Sequence, residues 1–231
     1  MFFGFDPTIV LLIPAIVFAL YAQMKVKGTF AQYSNVRSMT NLTGAQVARG
    51  ILDKYGLFDV RVEAVPGELT DHYDPRSKVL RLSSPVYGAT SLAAIGVAAH
   101  EAGHAVQHAT KYGPLALRSA IVPLAQIGSW AAWPLLFLGL FFQAFSLVKL
   151  GIIIFSGVVL FQLVTLPVEY NASKRALAVL SEGGYLYDNE IGGAKKVLDA
   201  AALTYVAAAL MGILQLIRLL LISGILGRRD D

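Results

Sequence analysis

The sequence predicts a mainly α, integral membrane fold: about four transmembrane helices and a small cytoplasmic α+β domain, its short antiparallel β-strands packed on a helix that carries H-E-x-x-H. Three observations point there. Of 231 residues, 56% are hydrophobic and 15% charged, against a charged share of about 25% in soluble domains. Uncharged stretches at 7–24, 119–148, 150–168 and 200–217 are near or above the ~18–20 residues that a helix needs to cross hydrocarbon. Between the first two, residues 25–113 carry ten Lys/Arg and seven Asp/Glu, enough for a membrane-apposed, water-facing domain.

The first span, 7–24, is expected to remain as an anchor, because no Lys or Arg precedes it and no A-x-A-like cleavage site follows it. Lys25, Lys27 and Arg37 follow directly, so the positive-inside rule places the N-terminus outside and 25–113 in the cytoplasm. "TGAQVARGILDKYG", 43–56, reads as a short amphipathic helix: Thr43 is the candidate N-cap, Val47, Ile51 and Leu52 form the apolar face, and Gly56 stands at the stop. "FDVRVEAV" at 58–65 and "SKVLRLS" at 77–83 alternate apolar and polar residues, the period of half-buried strands. Pro66-Gly67 and Asp74-Pro75-Arg76 supply turns. Ser91 then caps a proline-free run of strong helix formers, 91–109. Residues 119–168 form a two-span hairpin turning near Lys149, and 169–199 are a polar cytoplasmic segment. A last helix, 200–226, contains Arg218, close enough to its end to snorkel. Arg228-Arg229 would then lie outside, against the charge rule, which leaves a re-entrant segment as the alternative.

The net charge of +4 does not point to nucleic acid, since the basic residues are scattered and no basic run interleaves with aromatics. The chain has no cysteine, so a metal here must be held by His, Asp or Glu. Three of the four histidines fall in "AAHEAGHAVQH", 98–108. On a helix His100 and His104 lie one turn apart on one face, and both imidazoles can reach a single ion. Glu101 sits around the helix from them, placed to take a proton from the attacking water and pass it to a leaving amine. A chance H-E-x-x-H on an apolar helix would bury costly unpaired groups.

A catalytic zinc needs a third protein ligand and an open position. The metzincin continuation would place a histidine at 110, where Thr110 stands. His108 shares the face, but its Cα lies about 6 Å along the helix from that of His104, which favours packing or hydrogen bonding behind a ligand over ligation. Glu169, just after Pro167, is the better candidate: two crossings separate it from His104 and return the chain to the same side of the membrane. Its alternative role is that of an interfacial glutamate capping a helix. In "DHYDP", 71–75, His72 or Tyr73 can stabilise an oxyanion, or the segment is simply a β-turn begun by Asp74-Pro75. Tyr170 and Arg175 stand near Glu169, with membrane anchoring as the plainer role for the Lys174-Arg175 pair.

The first span, "LTDHYDPRSKVLRLS", "AAHEAGHAVQHA" and "EYNASKRAL" together resemble the YugP-like membrane zinc metallopeptidases, or neutral zinc metallopeptidases, nearly end to end. A more distant resemblance is to HtpX-type membrane proteases and other gluzincins. It implies a zincin-like domain, one catalytic Zn2+ ion, and His, His and Glu ligands that map onto His100, His104 and Glu169. Gluzincins commonly carry Asp four residues after the ligand glutamate to orient a zinc histidine, and this chain has Ser173 there. A hydroxyl accepts that N–H bond less strongly than a carboxylate; Asn171 and Asp71 are the other candidates for the role.

The reading is therefore a multi-pass protein of the cell membrane that hydrolyses a protein or peptide substrate near the bilayer, its site facing the cytoplasm. Nothing in the sequence specifies an oligomeric state. Two rivals differ in class. A non-catalytic zinc-binding scaffold has no use for Glu101 and normally fills four protein ligands. A site-2-like intramembrane protease would use a later Asp-Gly motif, and no Asp-Gly occurs.

Overall fold

The computed structural model describes residues 7–224. Its order is a 3-10 turn at Pro7–Leu12, α1 (Ile13–Ser34), α2 (Gly44–Lys54), β1 (Arg61–Val65), β2 (His72–Asp74), β3 (Val79–Ser83), α3 (Ser84–Tyr87), α4 (Leu92–Ala109), α5 (Gly113–Phe141), α6 (Phe145–Glu182) and α7 (Asp188–Ile222). Four helical segments, Pro7–Ser34, Gly113–Phe141, Phe145–Glu182 and Asp188–Ile222, are long and apolar enough to cross a membrane. With its three-stranded sheet, the chain is a mainly α membrane protein with a small α+β domain. Residues 225–226 of the expected last helix, and Arg228-Arg229, lie outside the described residues.

The chain divides into two compact units. One comprises Leu117–Leu166 with the described parts of 1–22 and 204–231. Its core gathers Ala132 and Leu136 of α5, Val148, Ile152, Phe155 and Val159 of α6, and Leu219 of α7. The helix break falls at 142–144 and not near Lys149, which lies within α6 with its ammonium 4.7 Å from the Phe145 ring. Gln143 there takes a left-handed backbone (φ 54°), and Ala144 N–H closes the turn on Gly139 C=O at 2.8 Å. An uninterrupted apolar run hides such a break, because hydropathy marks only where water is avoided.

The other unit, Gln23–Ala116 with Pro167–Leu203, carries the α+β domain. Helix α2 begins as its residues dictate: Thr43 Oγ1 accepts from Gln46 N–H at 3.2 Å and Gln46 Oε1 accepts from Thr43 N–H at 2.8 Å, a reciprocal capping box. Its Val47, Ile51 and Leu52 meet Leu80 and Leu82 of β3, Ile95, Ala98, Ala99 and Ala102 of α4, and Ala176, Val179 and Leu180 of α6 in one core. Each large aliphatic side chain fully buried there contributes about 1.5–3 kcal/mol.

The sheet has the order β1-β3-β2 and is mixed, not antiparallel throughout. β2 pairs antiparallel with β3 (Tyr73 opposite Leu80), while β1 runs parallel to it (Val62 opposite Leu80). The connection 66–78 contains β2 itself, so β3 returns into the middle and buries Val79, Leu80 and Leu82. Alternation alone gives strand identity but not neighbour direction. Within the segment 169–199, α6 continues through Pro167 to Glu182 and α7 begins at Asp188. Val168, Ala172 and Ala176 are fully buried on that continuation, and this packing outweighs the donor that proline removes.

Candidate metal centre

Helix α4 presents the motif. Ser91 Oγ accepts from Ala94 N–H at 3.2 Å, so the helix starts at Leu92 and sets the phase of everything after it. His100 and His104 consequently stack one turn apart, ring centroids 4.7 Å from each other and planes nearly perpendicular at 86°. Small residues at Ala98, Ala99, Ala102 and Ala105 let neighbouring elements approach closely. The approach is close at Gly103, where a Cβ would stand 2.8 Å from the carbonyl oxygen of Ala172 on α6.

That approach brings Glu169, one turn before Ala172, onto the histidines. Glu169 Oε2 lies 3.2 Å from His100 Nε2 and 3.5 Å from His104 Nε2, and the carboxylate is 2% exposed. The ligand atoms of His100, His104 and Glu169 all fall within 4.8 Å of one another, a group able to hold a metal ion. Two donors each about 2.0–2.1 Å from a tetrahedral zinc stand ~3.3–3.4 Å apart. The observed carboxylate–imidazole separations, 3.2 and 3.5 Å, suit that ion. Three protein donors leave a fourth position for substrate or water. Glu101, the residue after His100, is 9% exposed.

Behind the cluster, hydrogen bonds fix which imidazole nitrogen faces inward. Gln107, fully buried, donates from Nε2 to the Val168 carbonyl at 2.8 Å and to Asn171 Oδ1 at 3.0 Å. A backbone carbonyl only accepts, so the amide nitrogen must face it and Oε1 is turned toward His104 Nδ1, 3.0 Å away. An oxygen there requires the proton on Nδ1, which leaves the Nε2 lone pair for the ion. Arg175 Nε donates to the same Asn171 oxygen at 2.8 Å, and its guanidinium lies over the Tyr112 ring at 5.8 Å. On the other imidazole, His100 Nδ1 lies 3.1 Å from Ser173 Oγ. Burial disfavours the charged form of His104, but its hydrogen bond to Glu169 and the charges of Glu101 and Glu169 outweigh that and raise its pKa above the ordinary imidazole value.

The remaining sequence candidates are placed as follows. His108 is outside the three-residue group and meets Tyr73, whose hydroxyl is 2.9 Å from His108 Nδ1. Burial, with the nearby charges of Asp59 and Asp74, pushes the Tyr73 phenol up to about 12, so it stays a neutral donor across physiological pH. His72 alternates to the other face of β2, its Nδ1 2.8 Å from the Thr70 carbonyl and its Nε2 3.4 Å from Arg81 Nη1. Asp71 accepts from Ser83 N–H and Oγ at 2.7 and 2.8 Å, bracing the end of β3. Asn171 acts one step back, through Gln107. Tyr170 is half exposed on α6. Gln107 is the residue that sequence reasoning passed over; its signal was present, three positions after His104 and so on the same helical face.

The sequence pattern of a family described as "Putative neutral zinc metallopeptidase" matches residues 8–224. The chain is 51% identical over 224 residues to "Putative membrane protease YugP" of Bacillus subtilis (strain 168), a match covering 96% of this chain and 98% of that one. No solved structure matches the chain.

Proposed function

Because the chain belongs to the neutral zinc metallopeptidase family, we propose that it is a membrane-anchored endopeptidase that cleaves membrane or membrane-proximal proteins, with one zinc ion held by His100, His104 and Glu169. The observation that carries this reading is the convergence of two imidazole nitrogens and one buried carboxylate from two helices, with 3.2 and 3.5 Å separations suited to a single ion. When bound, zinc supplies the Lewis acidity that polarises the scissile carbonyl and acidifies water. The residues of the chain do the rest. Glu101 accepts the proton of the attacking water and returns it to the departing amine nitrogen. Gln107 and Ser173 hold the two imidazoles in place. Tyr73, a neutral phenol facing α4 through His108, is the candidate donor to the oxyanion. Among the described residues strand β2 pairs only with β3, an edge to which an extended substrate can add as a further strand. The lysines after the first span support a cytoplasmic site, and its nearness to membrane-spanning segments supports bilayer-linked substrates.

A scaffold that merely stores zinc is disfavoured by a donor set that, among the described residues, stops at three, with a glutamate beside it. The deciding comparison is wild type against Glu101→Gln in purified form, reading metal content and cleavage of a broad peptide and membrane-protein library. Glu101→Gln should keep its zinc and lose hydrolysis by on the order of 10²–10⁴-fold. Equal cleavage by both proteins would sink this mechanism.

A further inference from the structure

We propose that a second site, away from the metal centre, binds the phosphate of an anionic phospholipid headgroup. It is a groove of about 380 Å3 between the C-terminal half of α1 and the first half of α7, lined on one side by Lys25, Thr29, Gln32 and Tyr33 and on the other by Lys196, Asp199, Ala200 and Leu203. Its volume lies within the ~300–1,000 Å3 typical of small-molecule sites.

The charge balance inside is positive. Asp199 is already paired with Lys195 at 2.5 Å (Nζ–Oδ2), which leaves Lys25 and Lys196 facing the groove without a carboxylate lining residue of their own. Lys196 sits over the Tyr33 ring at 5.9 Å, which restrains its stem. Thr29, 7% exposed, and Gln32 add neutral hydrogen-bonding groups, while Ala200 and Leu203 give the groove an apolar end. Two ammonium groups, amide and hydroxyl groups and an apolar end match a headgroup phosphate continuing into acyl chain.

The position along the chain selects a lipid over a soluble phosphate compound. Lys25 is the first charged residue after the uncharged stretch 7–24, and Ala200 and Leu203 open the uncharged stretch 200–217. The groove therefore falls where both helices pass from hydrocarbon to water. Basic pockets between helices at that depth bind anionic headgroups, each lysine near the surface being worth about five-fold in affinity.

The test uses the full chain in nanodiscs of phosphatidylcholine doped with phosphatidylglycerol, with lipid retention read by native mass spectrometry after release. Wild type should retain phosphatidylglycerol over phosphatidylcholine. The double variant Lys25→Gln/Lys196→Gln should lose that preference by about 25-fold, and Lys54→Gln, at an exposed position of α2 outside the groove, should keep it. Thermal unfolding and zinc content of the double variant should match wild type, separating loss of the site from loss of the fold. Excess inorganic phosphate should fail to displace the lipid. Equal retention by wild type and double variant, or displacement by phosphate alone, would overturn the proposal. Neither outcome touches the peptidase reading, which Glu101→Gln tests separately.

Discussion

Replacing Glu169 by Gln keeps the side chain's shape and removes the charge that two imidazoles face at 3.2 and 3.5 Å. A neutral amide oxygen is a poorer zinc donor, so Glu169→Gln should weaken zinc affinity strongly, whereas His108→Ala, which breaks only the contact with Tyr73, should weaken it modestly. Competition with a chelator gives both constants, and the reverse ranking would transfer the third ligand to His108. The protonation of His104 adds a pH dependence. Its pKa in the folded apo protein is raised above the ordinary imidazole value, so the stabilisation from its charged pairing with Glu169 is full below the unfolded pKa and is lost as pH rises through the folded one. Zinc needs the neutral ring and competes with that proton. Zinc affinity should therefore climb as pH rises from the ordinary imidazole value through the raised folded-state pKa of His104, while the metal-free protein loses stability over the same interval; chelator titration and thermal unfolding across the series check the two opposed slopes.

At the scale of elements, the centre depends on how closely α4 meets α6. Gly103→Ala would place a methyl 2.8 Å from the Ala172 backbone oxygen, a neighbour that moves only if the helix moves. The variant should lose about 1–3 kcal/mol of stability and bind zinc more weakly, because Glu169 is carried away from the histidines with its helix. Gly28→Ala on α1, where nothing lies within 4 Å of the added carbon, is the control and should be neutral or stabilising by up to about 1 kcal/mol. Urea unfolding with a parallel zinc titration reads both, and unchanged zinc affinity in Gly103→Ala would show that the helices do not need this contact to form the site.

Across the whole molecule, the expected arrangement puts the N-terminus outside and 25–113 and 169–199 in the cytoplasm. The chain has no cysteine, so Ser77→Cys at an exposed position in the turn between β2 and β3 provides a single label. It should react with an impermeant maleimide only after the cells are opened; labelling of intact cells would reverse the topology. What the sequence by itself determined is everything governed by near neighbours: the four apolar segments, the capped helix at 43–56, and the stacking of His100 and His104 with Glu101 beside them, since these follow from hydropathy, capping and a spacing of four. Tertiary structure decided what depends on distant partners. The sheet is mixed because β3 inserts between β1 and β2, and α6 runs past Pro167 because Val168, Ala172 and Ala176 are buried there. Gln107 Oε1 meets His104 Nδ1 because the partners that turn its amide, Val168 and Asn171, belong to another helix. Periodicity records which face of an element is buried, but not which element covers it, and Glu169, the third member of the group able to hold a metal ion, stands on that covering helix.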